Sequence, residues 1–225
     1  MAIEDIKNDF DRIAMLAGGK WDHNRHYHNY LLKHIPARCE HALEIGCGAG
    51  EFTRILAGRS ERVIALDVSP KMIEVARRAS AQFPNIEYIL VDATQWNFPC
   101  GHFDCVASIA TMHHLPFEDI LTKMRDSLKP GGVMVILDLF QPKGFYGLLK
   151  SALAALANFV LRLIYTGKLF DPRDARMAWR EHKKHEKIMT LTDIRKICAS
   201  ILSTAKIKER LLWRYSIIWK KAGNA

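Results

Sequence analysis

The chain has 225 residues, 49% apolar and 25% charged, which excludes a disordered or collagen-like polymer and suits one globular domain with an appended lid. Its five cysteines (Cys39, Cys47, Cys100, Cys105 and Cys198) include no C-x-x-C pair, and the opening MAIEDIKNDF holds no apolar signal run, so reduced thiols in a cytoplasm are expected. The net charge of +9 is lopsided: residues 1–140 hold 15 Lys/Arg against 18 Asp/Glu, and residues 141–225 hold 18 against 6. Such a basic half is either a solvated face or the seat of an anionic partner: a phosphorylated or carboxylated substrate, nucleic acid or an anionic membrane surface.

Over residues 3–17, Ile6, Phe10, Ile13 and Leu16 recur at helical spacing, with acids early and Gly18-Gly19 as a stop. Asp22 offers a cap for a second helix through Tyr27, Tyr30 and Leu31 that ends before Pro36. From position 41 strands and helices alternate. HALEIGC is a short apolar strand running into a glycine turn, EFTRILAGRS is helical and RVIALDV is the second strand. Ser69 then supplies an N-cap and Pro70 an N1 residue, opening a helix over 70–82. IEYILV and FDCVASIA read as the third and fourth strands, PFEDILTKMRDSL as a helix, and LKPGG as the turn into a fifth strand, VMVILDLF. Strands rich in Val, Ile and Leu, separated by helices, indicate a parallel sheet buried on both faces. After 140 the pattern breaks. Residues 145–166 are a long apolar helix candidate, 167–189 are strongly charged, and Thr192 caps a helix through Ile201. AKIKERLLWRYSIIWKK reads as an antiparallel hairpin joined near Leu212–Arg214.

Ligands of open parallel sheets bind beyond the carboxyl ends of the strands. Three acids fall at or near such ends: Glu44 in the first strand, Asp67 ending the second and Asp92 just after the third. The glycine turn brings backbone N–H groups toward a ligand, Asp67 is placed to accept from ribose hydroxyls, and Asp92 can meet an adenine amine. Gly46 and Gly48 fit a dinucleotide fingerprint, but position 51 is Glu. Glu44 and Glu51 would repel a pyrophosphate, which argues against a nicotinamide dinucleotide. S-adenosylmethionine carries no phosphate, and its ammonium and sulfonium suit an acid before the glycines.

The ordered set ALEIGCGAG, VIALDVSPKMIEVA, VDA, FDCVASIATMHHL and LKPGGVMVI resembles the class I S-adenosylmethionine-dependent methyltransferases, in the group acting on small molecules. It covers roughly residues 41–140. The resemblance implies an α/β, Rossmann-like, seven-stranded, mostly parallel sheet with a terminal antiparallel hairpin, plus a helical lid. It implies that Glu44, Gly46, Gly48 and Gly50 contact the methionine moiety, with Cys47 of the same turn among the cofactor contacts. Asp67 would hold the ribose hydroxyls, Val68 and Met72 would run along the adenine, Asp92 and Ala93 would face its edge, and Ser108 would sit near the sulfonium end. The divisions expected are N-terminal helices over the active site (1–36), the cofactor-binding core (37–140), a lid or substrate insertion (141–190), and the last helix with the terminal hairpin (191–225).

His113 and His114 follow the fourth strand on the cofactor side and are the candidates for a catalytic base, with a structural or lid-positioning role as the alternative. In WDHNRHYHNY, Tyr27 and His28 are expected to line the acceptor site together with His113; the histidine spacings, lacking an acid or cysteine partner, do not suggest a metal site. His182 and His185, one turn apart in REHKKHEK, read as a solvated helix face. FYGLLKSALAALANFVLRLIY is interrupted by Lys150 and Arg162, with 11 residues between, too few to span a bilayer. Lys150, Ala154, Asn158 and Arg162 form one i+4 line beside a wide apolar stripe. The expectation is a lid helix turning Leu149, Leu153, Leu156 and Val160 inward; shallow peripheral membrane contact is the alternative.

These readings point to methyl transfer from S-adenosyl-L-methionine, leaving S-adenosyl-L-homocysteine, to a small-molecule acceptor at O, N, S or an activated carbon, of the secondary-metabolism kind. That acceptor is expected to be anionic or apolar. The alternatives are a membrane-lipid or quinone-like acceptor, RNA, or a non-catalytic S-adenosylmethionine-binding partner protein. Nucleic acid is disfavoured because the fourth strand runs into SIATMHHL rather than an Asn/Asp-Pro-Pro-aromatic clamp, and Pro99-Cys100 precedes that strand.

Overall fold

A computed structural model describes residues 3–16, 23–167, 172–183 and 188–223. Helices α1 (Ile3–Leu16) and α2 (Arg25–Leu32) precede an alternating core: β1 (Cys39–Ile45), α3 (Glu51–Ala57), β2 (Ser60–Asp67), α4 (Pro70–Ala79), β3 (Ile86–Leu90), β4 (Phe103–Ile109), α5 (Phe117–Ser127) and β5 (Leu128–Leu139). Then come α6 (Gly144–Thr166), α7 (Arg173–Lys183), α8 (Leu191–Ile201), β6 (Lys206–Arg210) and β7 (Arg214–Lys220). The Gly18-Gly19 stop, the Asp22 cap and His185 lie outside the described residues.

The seven strands form one sheet in the order β3-β2-β1-β4-β5-β7-β6, with β7 antiparallel to both its neighbours and the other pairs parallel. Alternate side chains of a strand point to opposite faces, and both faces here are covered. Leu43, Ile45, Val106, Met134 and Ile136 pack against Ile120, Leu121 and Met124 of α5 and Ile194 of α8. On the other face Ala42, Val63, Cys105, Ala107 and Val135 meet Leu31 of α2 and Phe52 and Leu56 of α3. Each fully buried Leu, Ile or Phe contributes about 1.5–3 kcal/mol, so these two layers hold the sheet. A satellite core of Ile13, Ala14, Met72 and Ala178 fastens α1 onto α4 and α7.

Local signals act as expected at α4. Ser69 Oγ accepts from Met72 N at 3.0 Å, with Pro70 at the first helical position. The same hydroxyl donates to Asp11 Oδ1 at 2.5 Å, which ties α1 to that cap. At α8 the cap is Thr190 rather than Thr192, because the helix begins at Leu191; Thr190 Oγ1 accepts from Asp193 N at 3.3 Å. LKPGG belongs to β5 rather than to a turn before it, entering with a register shift opposite Phe103–Cys105. The hairpin tip places Leu212 and Trp213 at φ 60° and 57°, a left-handed conformation costing on the order of 1–2 kcal/mol per residue. Leu212 is fully buried in return.

The largest departure is α6. Leu149, Leu153, Leu156 and Val160, expected to face inward, are 54%, 55%, 62% and 45% exposed. The polar line faces the domain instead. Lys150 Nζ donates to Glu209 at 2.8 Å, Ser151 Oγ accepts from Trp213 Nε1 at 3.2 Å, Ala154 is buried, and Asn158 Oδ1 lies 2.6 Å from His23 Nε2. The surface beneath the helix offers polar partners, so this edge turns toward it and the apolar stripe is left exposed. Residues 147–166 are long and apolar enough to cross a membrane by length and composition, with 6% of the most apolar window buried in the protein.

Candidate active site

The carboxyl ends of β1, β2, β4 and β5 converge on a cavity of about 1060 Å³. Its floor is the turn after β1. Gly46 has φ 73°, and a Cβ there would lie 2.0 Å from Thr111 Oγ1, so no larger residue fits without moving Thr111. Gly48 has only open space where a Cβ would stand, and it lines the cavity. Asp67 holds this floor: Oδ2 accepts from Gly48 N at 2.8 Å and Oδ1 from Ser69 N at 2.9 Å. Each carboxylate oxygen keeps further acceptor capacity toward a ligand. Burial raises the Asp67 pKa even against those N–H groups.

Glu44 is 2% exposed on the α3 side of β1 and accepts from Thr53 Oγ1 at 2.5 Å. Burial pushes its carboxyl up to about 8. Asp92 is pinned by its own loop, accepting from Thr94 N at 2.8 Å and Thr94 Oγ1 at 2.7 Å. These three acids line the cavity together with Gly46, Cys47, Gly48, Val68, Met72 and Ala93. The set fits S-adenosylmethionine: carboxyl groups for its ammonium, ribose and adenine amine lie beside a floor that lacks side chains at Gly46 and Gly48.

Gly50 and Ser108 do not line the cavity. A Cβ on Gly50 would lie 2.3 Å from Tyr88 Oη, so this glycine is required by packing behind the turn. Ser108 is fully buried in β4, donating to Ile45 O at 3.0 Å, because its side chain points between strands and not beyond their ends. Tyr27 is likewise absent from the cavity: its hydroxyl donates to Leu211 O at 2.8 Å, bracing the hairpin tip. His28 does line it.

His113 and His114 both reach the cavity but differ in chemistry. Nδ1 of His113 lies 2.6 Å from Oδ1 of Asp138, whose side chain is 1% exposed. That bond fixes the ring and turns Nε2 to the role of acceptor. His114 is held down to about 2 by burial, then by His113 and His182, so it stays neutral and is a feeble base. Asp138 was missed by sequence reasoning, although an acid near the end of an apolar strand, VILDLF, is the same signal that marks Glu44 and Asp67. Ala110, at φ 52° just after β4, adds a strained backbone position to the cavity wall.

Most of the roof comes from outside the sheet. Ile6, Phe10 and Ile13 of α1 line the cavity, as do Asn158 and Arg162 of α6, Arg176, Trp179 and Arg180 of α7, and Trp213 and Arg214 of the hairpin. His182 is not on a solvated face: it is 1% exposed, with Nδ1 3.1 Å from Asp9 Oδ2 and its ring against Phe10 and His114. Arg214 is buried, its Nε donating to Asn24 Oδ1 at 2.9 Å. No sequence motif joins these four arginines, since they reach the cavity from three elements, α6, α7 and β7. Away from the cavity, Glu40, His41 and Asp104 lie within metal-ligand reach of one another, but Lys129 Nζ already bridges the two acids at 2.5 and 3.1 Å.

A methyltransferase-domain family profile matches residues 42–132. An uncharacterised methyltransferase of Mycobacterium tuberculosis is 27% identical over 208 residues, spanning 89% of this chain and 96% of its own length. The demethylmenaquinone methyltransferase of Bacillus licheniformis is 26% identical over 187 residues, 81% of this chain and 78% of its own. Among solved structures, the N-methyltransferase NodS of Bradyrhizobium japonicum bound to S-adenosyl-L-homocysteine shares the fold, with a TM-score of 0.63 at 18% identity over 95% of this chain and 98% of that one. With the sheet order and the glycine floor already pointing the same way, residues 42–132 form a methyltransferase domain, and the chain's similarity to methyltransferases extends over most of its length.

Proposed function

We propose that this methyltransferase acts on a small-molecule acceptor that carries an anionic group, with His113 as general base where the accepting atom holds a proton. The observation behind it is the division of charge within one cavity. Carboxyl groups of Glu44, Asp67 and Asp92 come from the β1–β3 side, and guanidinium groups of Arg162, Arg176, Arg180 and Arg214 come from α6, α7 and β7. Bound S-adenosylmethionine supplies an electrophilic methyl on a sulfonium. Glu44 and the Gly46–Gly48 floor would hold its amino-acid end, Asp67 its ribose and Asp92 its adenine side. A planar guanidinium matches a carboxylate or phosphate bidentately, so the arginines would orient the acceptor from the opposite side. Asp138 holds the His113 ring so that Nε2 can take the acceptor proton, and an acceptor that is already ionised needs no such step. Phe10, Ile13 and Phe140 line the remaining wall and keep water from the line of transfer.

A quinone-like acceptor is the second reading. It is favoured by the apolar α1 wall, by the outward stripe of α6 beside the cavity, and by the demethylmenaquinone methyltransferase relatives. The test is formation of S-adenosyl-L-homocysteine with panels of aromatic carboxylic and phosphoric acids, their neutral esters, and demethylmenaquinone. The anionic reading requires turnover on acids that is lost on their esters, with KM raised about tenfold or more by Arg180→Met. Equal rates on acids and esters would end it, and turnover confined to demethylmenaquinone would establish the second reading.

A further inference from the structure

We propose that α6 docks the enzyme on an anionic lipid surface, lying in the plane of the interface with its apolar stripe in the acyl boundary. This concerns where the enzyme sits, and it holds for either acceptor class above. The helix is inside out for a soluble domain: Phe145, Leu148, Leu156 and Ile164 are 78%, 71%, 62% and 69% exposed, while its polar edge is fastened to the domain. Those fastenings, Asn158 to His23 and Lys150 to Glu209, keep one side on protein and argue against a spanning helix.

The charge of the C-terminal part of the chain selects the occupant. Residues 141–225 carry 18 Lys/Arg against 6 Asp/Glu. Lys143 is exposed at the start of α6, and Arg173, which does not line the cavity, is exposed at the start of α7. Tyr165, exposed in the last turn of α6, is an amphipathic ring of the kind that settles at headgroup level. A second copy would bring the same basic surface against itself, and that repulsion disfavours a dimer through this face. An anionic bilayer satisfies both the apolar stripe and the basic charge of this part of the chain. The placement also has a consequence for access, because Asn158 and Arg162 on the inner edge of the same helix line the cavity. An acceptor dissolved in the bilayer would meet the cavity at the helix that touches the lipid.

The test is co-sedimentation of the full chain with vesicles of phosphatidylcholine and phosphatidylglycerol, against vesicles of phosphatidylcholine alone, over a salt series. The comparison variant is Leu153→Glu with Leu156→Glu, both at exposed positions, with S-adenosyl-L-homocysteine calorimetry as the readout of an intact fold. The expected result is binding to anionic vesicles that weakens with salt and falls about tenfold or more in the variant, with nucleoside affinity unchanged. Absence of binding to anionic vesicles at low salt would overturn the proposal, as would equal binding by both proteins. So would a concentration-dependent dimer, seen by analytical ultracentrifugation, that the variant dissolves while vesicles stay unbound.

Discussion

Glu44 works against the stability of the unliganded protein, and Glu44→Gln should expose that cost. The carboxyl has an ordinary value of 4.5 and is pushed up to about 8 when folded, chiefly by burial. A carboxyl with a higher folded than unfolded pKa binds more protons folded. Its favourable contribution is therefore complete below the unfolded value and is lost as pH climbs from there through about 8. At about 1.36 kcal/mol per pKa unit, the loss is about 3 kcal/mol by pH 7 and approaches about 5 kcal/mol above pH 8. The amide cannot ionise, so the Gln variant should escape this decline and be more stable than the parent by a few kcal/mol at pH 8, less whatever its NH₂ group fails to bond. Asp67, also raised by burial, adds a slope of the same sign that both proteins share. Urea unfolding of the two proteins between pH 5 and 9 measures the difference directly. Parallel stability curves would refute the reasoning, because they would mean that Glu44 ionises in the fold without penalty. The same substitution should weaken S-adenosylmethionine about tenfold or more, the worth of a hydrogen bond to a charged partner. Affinity of the parent should rise with pH from 6 to 8 as the carboxyl becomes able to meet an ammonium.

Asp67→Ala should weaken S-adenosylmethionine by about 2–3 kcal/mol in calorimetry and also lower the melting temperature, since Gly48 N and Ser69 N lose their acceptor. His113→Gln should cut turnover of a protonated acceptor roughly 10²–10⁴-fold at unchanged S-adenosyl-L-homocysteine affinity, and Asp138→Asn should lower it in the same direction. His114→Gln should keep most of the rate, because that ring is already neutral; a loss equal to that of His113 would reverse the assignment. Gly46→Ala should abolish cofactor binding through overlap with Thr111, and Thr111→Ala in the same chain should restore part of it, as read by calorimetry.

Much of the core was legible because its signals are local. Ser69-Pro70 opens α4, strand–helix alternation gives the parallel sheet, and Glu44, Asp67 and Asp92 stand where short apolar runs end, so chain order alone brings them to one edge. Three positions near that edge were not decided by chain order. Gly50 serves Tyr88, Ser108 serves the Ile45 carbonyl, and Tyr27 serves the hairpin tip, because a side chain's neighbours depend on what packs beside it. The roof belongs to tertiary structure altogether. Asp9 meets His182 and Asn158 meets His23 across well over a hundred residues, and no periodicity carries such a pairing. For α6 the amphipathic pattern was plain in the sequence, but its sense was not. A hydrophobic stripe records only that two sides of a helix differ; the polar cavity wall beneath α6 decided that the polar side turned in and the leucines turned out.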